Sequence, residues 1–239
     1  MAGLTAEVCV SSTIREATDL GYECLLLEDG VAATCPEHLP STVSAMRCEG
    51  GIFGSTAPTA AALEALLVAA AATAAAAHGH HATGEGAQAV ACAEAKVEVE
   101  AEAEAEVEVE VAGAAPGPFR WPKGKVALLM IDWQGDFCEE GGFGHALGND
   151  CSDASDVRRA LKPAAAVLAA ARGAGIPVIH TLEAHDPALA DCPPTKKRRA
   201  PVIGEPVPGA AHRGRMLVRV GPTTIAEISC NDREERQRV

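Results

Sequence analysis

The chain has 239 residues and a formal net charge of −13 at pH 7, from 33 acidic and 20 basic side chains. More than half of this excess arises from residues 94–110, where eight glutamates stand against one lysine, a local net charge of −7. The remainder is only mildly acidic, so no nucleic-acid partner is predicted. The longest apolar run, residues 66–77, is mostly alanine and too short to cross a bilayer, so no membrane partner is predicted either.

The cysteines indicate a reducing compartment. There are nine of them, and no two form a C-x-x-C pair, which favours neither a zinc knuckle nor a complete disulfide framework. The first residues also lack the basic region and apolar run of a signal or transit peptide. We therefore expect a cytoplasmic protein.

Residues 1–68 open with a helix that begins near a cysteine. Val10 and Ile14 stand at helical spacing, and Gly21 ends the segment. Cys9 is therefore predicted at or just inside a helix N-terminus, where the macrodipole favours a reactive thiolate. The alternative is a buried, unreactive cysteine, since free cysteines are among the most buried residues.

Three further elements and a turn are predicted in this part. The apolar run 23–29 has the character of a buried parallel strand. Residues 34–38 form a turn with capping potential, residues 41–48 a helix, and residues 57–67 a second helix with Pro58 near its start.

Residues 69–120 lose sequence complexity and are predicted as a linker. They pass from an alanine run to an alternation of valine or alanine with glutamate. Alternation formally predicts a strand, yet alanine and glutamate favour a helix and no opposing strand is evident, so we expect a disordered or transiently helical segment. His78–His81 contains three histidines that could hold a metal. A solvated linker is favoured, because no carboxylate or cysteine stands at fixed spacing beside them.

Residues 121–220 regain globular character. Residues 125–131 and 176–181 are predicted as buried strands, and residues 157–173 as the helix between them. Pro163 should kink or restart that helix. A strand–helix–strand unit of this kind is right-handed by default.

Strands and helices alternate in both globular parts, which predicts an α/β fold of three layers: a mostly parallel, Rossmann-like sheet with helices on both faces. A third strand of the second part is a candidate at residues 215–220, and residues 221–239 form an unrecognised polar tail. Ligands of such sheets bind at the carboxyl ends of the strands. Asp132 follows a predicted strand and Cys9 lies at a strand-to-helix junction, so both belong on one rim if the two parts share a sheet.

Two segments carry a family resemblance. Gly3–Asp29 begins with G-L-T-A-E-V-C-V, and Val126–Phe137 ends in D-W-Q-G-D-F. The first resembles the back half of the isochorismatase-like cysteine hydrolases, whose catalytic cysteine lies in G-[VI]-T-T-E-V-C-V, and the second resembles their front half, so the halves stand in reversed order. His180–His185 and the Asp191 loop resemble the H-T-R-E-G-H…D-C-P-P pattern of the branch that hydrolyses ureido-type amides such as biuret and ureidoacrylate, with Leu182 in place of the arginine.

The resemblance implies a hydrolase of small amides or ureido compounds. Cys9 would be the nucleophile and Asp132 the general base. The backbone N–H groups of Thr5 and Cys9 would form the oxyanion hole, beside a cis peptide bond at Leu4–Thr5. The metal-binding aspartate and paired histidines of the nicotinamidase branch are not recognisable, so neither a metal nor a cofactor is expected. Four residues are candidates to line the substrate pocket: Gln134, Phe137, Glu183 and His185.

The catalytic lysine of the family has no counterpart in this sequence. The resemblance places it between the third strand and the strand that leads into the cysteine, a segment that does not occur here. Lys196 and Lys197 stand in the Asp191 loop instead. The absent strand would leave an unpaired edge or a hole in the sheet, and each missing buried side chain would cost a few kcal/mol.

Two functional hypotheses remain open. In the first, the halves close into one circularly permuted domain that cleaves a C–N bond of a small molecule through a thioester-like intermediate. The linker permits this, since about fifty flexible residues span roughly 40 Å, about the diameter of a globule of about 170 residues. In the second, the fold is incomplete, and the chain is an inactive remnant or a binding module of two half-domains. The sequence also leaves open whether the chain forms a homo-oligomer.

Overall fold

The computed structural model describes residues 1–79, 108–208 and 210–217. The first of these ranges alternates short strands with helices: β1 (Ala2–Leu4), a π-helical turn (Ala6–Val10), α1 (Ser11–Asp19), β2 (Leu25–Leu27), β3 (Val31–Ala32), α2 (His38–Gly51), β4 (Ser55–Ala57) and α3 (Thr59–Gly79).

The remaining ranges begin with a hairpin and continue with a second strand–helix alternation. Their elements are β5 (Glu108–Val111), β6 (Phe119–Pro122), β7 (Leu128–Ile131), α4 (Gly135–Cys138), α5 (Phe143–Ala146), α6 (Asp156–Gly173), β8 (Val178–Thr181), α7 (Pro194–Arg199), β9 (Pro206–Val207) and β10 (Ala210–Gly214).

One parallel sheet contains strands from both globular parts. Its order is β3-β1-β7-β8, and each neighbouring pair is parallel. Strand β1 lies between β3 and β7, so residues near the start of the chain pair with residues beyond its midpoint. Strands β2 and β4 form a further parallel pair, which reaches β1 through the Leu27 N–H donating to the Met1 carbonyl at 3.0 Å. The prediction of an α/β fold with a mostly parallel sheet is confirmed.

The contact between β1 and β7 requires a glycine. Gly3 is paired with Ile131 in the sheet register. A Cβ atom on Gly3 would lie 2.5 Å from the Ile131 carbonyl oxygen, far inside van der Waals contact. The absence of a side chain at this position therefore lets the two strands approach.

Helices cover both faces of the sheet, as the three-layer prediction requires. On one face α3 and α6 pack on Leu4 and Met130, both almost fully buried. On the other face α1 and α2 pack on Leu26 and Ile131. One face of α6 is apolar and buried, at Val157, Leu161, Ala164 and Leu168. Within the described residues, no helix is both long and apolar enough to cross a membrane.

The sheet has a gap at the amino ends of its strands. Strand β7 is paired with β8 along its whole length but with β1 only at Met130 and Ile131. Leu128 and Leu129 therefore lack a partner on the β1 side. Beside them lies an apolar cavity of about 1040 Å³, which Leu25 also lines. The gap arises because β1 is only three residues long, and the cavity is lined by neither Cys9 nor Asp132.

Ordered elements extend into the predicted linker from both sides. Helix α3 continues to Gly79, and the stretch 108–122 contains the hairpin β5–β6. The absence of an opposing strand was therefore a wrong inference for these residues. The alternation buries Val109 and Val111 and leaves the glutamates outside, while Phe119 and Trp121 oppose the valines from β6. The part of the predicted linker at 80–107, including two of the three histidines, lies outside the described residues.

Two other predictions need correction. Helix α6 runs without a break across Pro163, because the buried stripe on both sides of the proline packs against the core and holds the helix together. Of the strand predicted at 215–220, only residues 215–217 are described, and there Leu217 forms an isolated parallel bridge with His185 after β10 ends at Gly214. Met216 has a φ of 57°, which turns the chain and places its side chain in a small cluster with Cys192 and Ile203.

Candidate active site

Cys9 and Asp132 lie at the carboxyl ends of adjacent strands. Strand β1 ends at Leu4, and the π-helical turn that follows carries Cys9. Strand β7 ends at Ile131, and Asp132 is the next residue. Because β1 and β7 are parallel neighbours, their carboxyl ends meet on the same rim, where ligand sites of open α/β sheets form.

Asp132 is fixed in place by its backbone and by the neighbouring strand. It is 6% exposed and has a φ of 53°, a region that few residues other than glycine adopt. Thr181, the last residue of β8, donates its hydroxyl hydrogen to Asp132 Oδ1 at 2.6 Å and accepts the Asp132 N–H at 3.1 Å. Both hydrogen bonds involve Thr181 Oγ1, so the carboxylate is held toward the rim rather than free to rotate.

The Cys9 thiol lies near the Asp132 carboxylate, which raises the pKa of the thiol. Burial is the larger cause, and together they raise this pKa from its ordinary value of 9.0 to about 12. The charge of Glu183 raises this pKa further, whereas a hydrogen bond from the Thr5 backbone N–H lowers it. The sum keeps Cys9 protonated at neutral pH.

The sequence prediction of a macrodipole-activated thiolate is therefore wrong for the resting site. Thr5 is the N-cap of the π-helical turn, so Cys9 does lie in the first turn of a helix. The dipole is outweighed because the thiol is half-buried and faces the carboxylates of Asp132 and Glu183. The peptide bond Leu4–Thr5 is cis, as the resemblance implied.

Gln134 connects the Asp132 segment to the segment after β8. Its side chain is 2% exposed and makes two hydrogen bonds to the backbone of Glu183: Nε2 donates to the carbonyl at 3.1 Å, and Oε1 accepts the N–H at 2.7 Å. This pairing uses both ends of the amide. It holds Glu183 at the rim, where its carboxylate forms an ion pair with Lys196.

His185 lies between two carboxylates. Its ring is 6% exposed, with Nε2 3.7 Å from Glu183 Oε1 and Nδ1 3.5 Å from Asp191 Oδ1. The pKa of Asp191 is held below its ordinary value, chiefly because its carboxylate accepts the Asp186 N–H. His185 thus lies between Glu183 and the Asp191 loop, and neither of its ring nitrogens makes a hydrogen bond within the described residues.

Phe137 is placed by aromatic packing. Its ring meets that of Phe143 edge-to-face, with centroids 6.0 Å apart, and it also packs against the cluster that contains Met216. The structure therefore gives Phe137 a packing role, whereas it brings Gln134, Glu183 and His185 together on the rim next to Asp132.

Sequence reasoning missed two residues of this rim. The sequence pattern marks Thr181 only as the end of a strand, although the register pairs it with Ile131, directly before Asp132. It marks Lys196 only as part of the Asp191 loop, although Lys196 and Glu183 are oppositely charged residues in the two motifs of the family resemblance. Strand pairing alone could have indicated Thr181. The contact made by Lys196 follows only from the path of the Asp191 loop in the structure.

Comparisons with known proteins place this architecture in a family. Over 78 residues, 33% of the chain, the sequence is 37% identical to the ureidoacrylate amidohydrolase RutB of Pseudomonas syringae pv. syringae (strain B728a). The match spans 31% of the length of that relative. The isochorismatase domain matches residues 1–58 and 126–224, which together are more than half of the chain. The chain belongs to the isochorismatase family.

Proposed function

We propose that the chain is a cysteine-dependent hydrolase that cleaves an amide or ureido C–N bond of a small molecule. Cys9 is its nucleophile and Asp132 its general base. The observation that carries the proposal is that Cys9 and Asp132, far apart in the sequence, follow the paired parallel strands β1 and β7 on one rim, where the Asp132 carboxylate raises the pKa of the Cys9 thiol. Membership of the isochorismatase family and the similarity to an amidohydrolase support the reaction class.

The first half-reaction forms a thioester. As the Cys9 sulfur attacks the substrate carbonyl carbon, the thiol proton passes to Asp132. The carbonyl oxygen becomes an oxyanion, for which the backbone N–H groups of Thr5 and Cys9 are the proposed donors. The tetrahedral intermediate then collapses: the C–N bond breaks, the amine leaves with the proton from Asp132, and the acyl group stays on sulfur.

The second half-reaction releases the acid. A water molecule enters where the amine left, and Asp132 takes one of its protons as the water oxygen attacks the thioester carbon. The C–S bond breaks, and the sulfur recovers the proton. The net change is one water consumed for one C–N bond, with Cys9 and Asp132 restored.

Because the pKa of Cys9 is raised, the thiol loses its proton only as the sulfur attacks the substrate. A thiol with a pKa of about 12 is almost entirely protonated at neutral pH, so the resting enzyme does not hold a thiolate ready for attack. Deprotonation has to accompany attack, which makes the positioned base essential. General-base catalysis of this kind contributes about a hundred- to ten-thousandfold in rate.

Lys196 is the proposed source of positive charge on the rim. Its ammonium pairs with Glu183, whose negative charge otherwise raises the pKa of Cys9. Lys196 therefore offsets one of the two carboxylates that oppose ionisation of the thiol. We propose it as a positioning and charge-balancing residue.

We further propose that residues 1–68 and 121–220 are the two halves of one domain in reversed order. The parallel pairing of β1 with β7 and the close approach of Gly3 to Ile131 support this arrangement. A cytoplasmic location remains part of the proposal. Its support is that the cysteines of the described residues are free: Cys9, Cys24, Cys35, Cys48, Cys138, Cys151 and Cys192.

A non-catalytic binding module is the second candidate function. The gap beside β7 favours a binding role, because an apolar cavity opens where Leu128 and Leu129 lack a partner on the β1 side. The two candidates differ in turnover, and a panel of small amides and ureido compounds, assayed for released ammonia, separates them. We expect turnover that Cys9→Ser abolishes and that Cys48→Ser, a change at an exposed thiol on α2, leaves intact. Equal ammonia release from the native chain and Cys9→Ser would overturn the hydrolase proposal.

A further inference from the structure

A turn between β3 and α2 gathers three different metal-ligating side chains. Cys35 Sγ, a carboxylate oxygen of Glu37 and a ring nitrogen of His38 all lie within 4.8 Å of one another. Within residues 1–79, 108–208 and 210–217, no other group of three or more histidine, cysteine or acidic side chains is this close. A thiol, an imidazole and a carboxylate form a mixed donor set rather than a cluster of acids.

The backbone of the turn brings these side chains together. Pro36 fixes its own φ, and the His38 N–H donates to the Cys35 carbonyl at 2.9 Å, which closes the turn immediately before α2. The side chains of Cys35 and His38 are thereby held near each other, with Glu37 between them in sequence. Cys35 is half-buried, whereas Glu37 and His38 are exposed and can adjust their rotamers.

Glu7 supports the turn from the π-helical turn that follows β1. Its Oε1 accepts the Thr34 N–H at 2.8 Å and lies 3.5 Å from His38 Nδ1. Its Oε2 is buried without a hydrogen-bond partner in the described part of the chain. A carboxylate beside one ring nitrogen of a histidine is the usual arrangement around a metal-ligating imidazole, since it orients the ring and raises its basicity.

We propose that Cys35, Glu37 and His38 bind a divalent transition metal of the zinc type, with Glu7 orienting the His38 ring. Thiolate, imidazole and carboxylate are all zinc ligands, at about 2.0–2.3 Å from the ion, so two ligands of a tetrahedral ion are about 3.3–3.8 Å apart. The three ligand atoms of the turn lie within 4.8 Å of one another, and rotation of the exposed Glu37 and His38 side chains brings them to that spacing. Three protein ligands leave the fourth tetrahedral position to water.

The proton balance of binding is simple. Cys35 enters the site as a thiolate, and its proton is released to solvent when the metal–sulfur bond forms. No electron transfer is involved. The site requires neither Cys9 nor turnover, and its residues are not those of the metal site of the nicotinamidase branch, whose aspartate and paired histidines are not recognisable in the sequence.

Cobalt(II) is the probe, because it replaces zinc in such sites and a cobalt–thiolate bond adds a charge-transfer absorption. We expect one equivalent of Co²⁺ to produce that absorption in the metal-free full-length chain, and Zn²⁺ to abolish it. Cys35→Ser and His38→Gln should lose the absorption. Glu7→Gln should keep the ligands but bind about 10- to 100-fold more weakly, the usual effect of removing a carboxylate that orients a ligand.

Three control variants separate this site from other donors in the chain. Cys48→Ser removes an exposed thiol on α2, Cys9→Ser removes the proposed nucleophile, and a triple alanine variant removes the histidines at 78, 80 and 81. All three should retain the cobalt–thiolate absorption, and far-UV circular dichroism shows whether each variant is folded. Absence of the absorption in the folded native chain, or its persistence in Cys35→Ser, would overturn the proposal.

Discussion

Replacing Asp132 by asparagine should make the Cys9 thiol easier to alkylate but should lower the rate of hydrolysis. Asparagine is nearly isosteric and keeps a side-chain oxygen for the Thr181 hydroxyl, which donates to Oδ1 at 2.6 Å. It removes the negative charge that now raises the pKa of the thiol. We therefore expect Asp132→Asn to make Cys9 more acidic and easier to alkylate, while hydrolysis is lost because no general base remains.

The magnitudes follow from the pKa of Cys9. Raising it from 9.0 to about 12 lowers the thiolate fraction at pH 8 about a thousandfold. Burial is the largest cause and persists in the variant, whereas the charge of Asp132 does not. A fall of only one pH unit in this pKa would raise the alkylation rate about tenfold at pH 8. Turnover should fall about a hundred- to ten-thousandfold.

Iodoacetamide labelling, followed by mass spectrometry of the Cys9 peptide, measures the first effect between pH 7 and pH 11. The native chain should label Cys9 slowly, at a rate that rises throughout this range, because the pH stays below a pKa of about 12. Asp153→Asn is the matched control, since it removes the same charge from a side chain that is 99% exposed. Labelling of Cys9 in Asp132→Asn no faster than in Asp153→Asn would refute the proposed contact, whatever happens to turnover.

Three further substitutions test the surrounding structure. Thr181→Val removes both hydrogen bonds to Asp132 and should lower the free energy of unfolding in urea by about 1–3 kcal/mol, and an unchanged value would show that Thr181 does not hold the aspartate. Gly3→Ala should destabilise by about 1–3 kcal/mol through overlap with β7. Gly173→Ala is the control: its new Cβ has open space at the end of α6, so the free energy of unfolding should not fall. Equal effects of the two glycine changes would argue against the close approach of β1 to β7. Lys196→Met leaves its carboxylate partner uncompensated and should slow alkylation of Cys9, which the same labelling assay detects; faster labelling would contradict the charge-balancing role.

The sheet and the position of the site could be predicted because the buried strands appear in the sequence as short apolar runs. Leu128–Ile131 and Leu25–Leu27 are such runs, and each is followed directly by an acidic residue. Their carboxyl ends indicate the rim of an α/β sheet without any further information. The helical spacing in α6 likewise predicts a buried stripe, and the structure buries it.

The electrostatics of Cys9 could not be predicted in the same way. The helix N-terminus is visible in the sequence, but the carboxylates of Asp132 and Glu183 reach the thiol only through strand pairing and the Gln134 contacts. The hairpin β5–β6 was missed for a related reason. Alternation of valine and glutamate predicts a strand only if a partner exists, and the partner, Phe119–Pro122, stands beyond an intervening turn.

The incomplete sheet and the formed site are compatible because they lie at opposite ends of β7. Met130 and Ile131 pair with β1, and the rim that follows them carries Asp132 and receives Cys9. Leu128 and Leu129 face the cavity at the other end, where burial of apolar surface is lost. That loss lowers the free energy of unfolding, whereas the geometry at the rim depends on the two residue pairs that join β1 to the end of β7. The approach of the Cys9 thiol to the Asp132 carboxylate is therefore compatible with an unpaired stretch at the other end of β7.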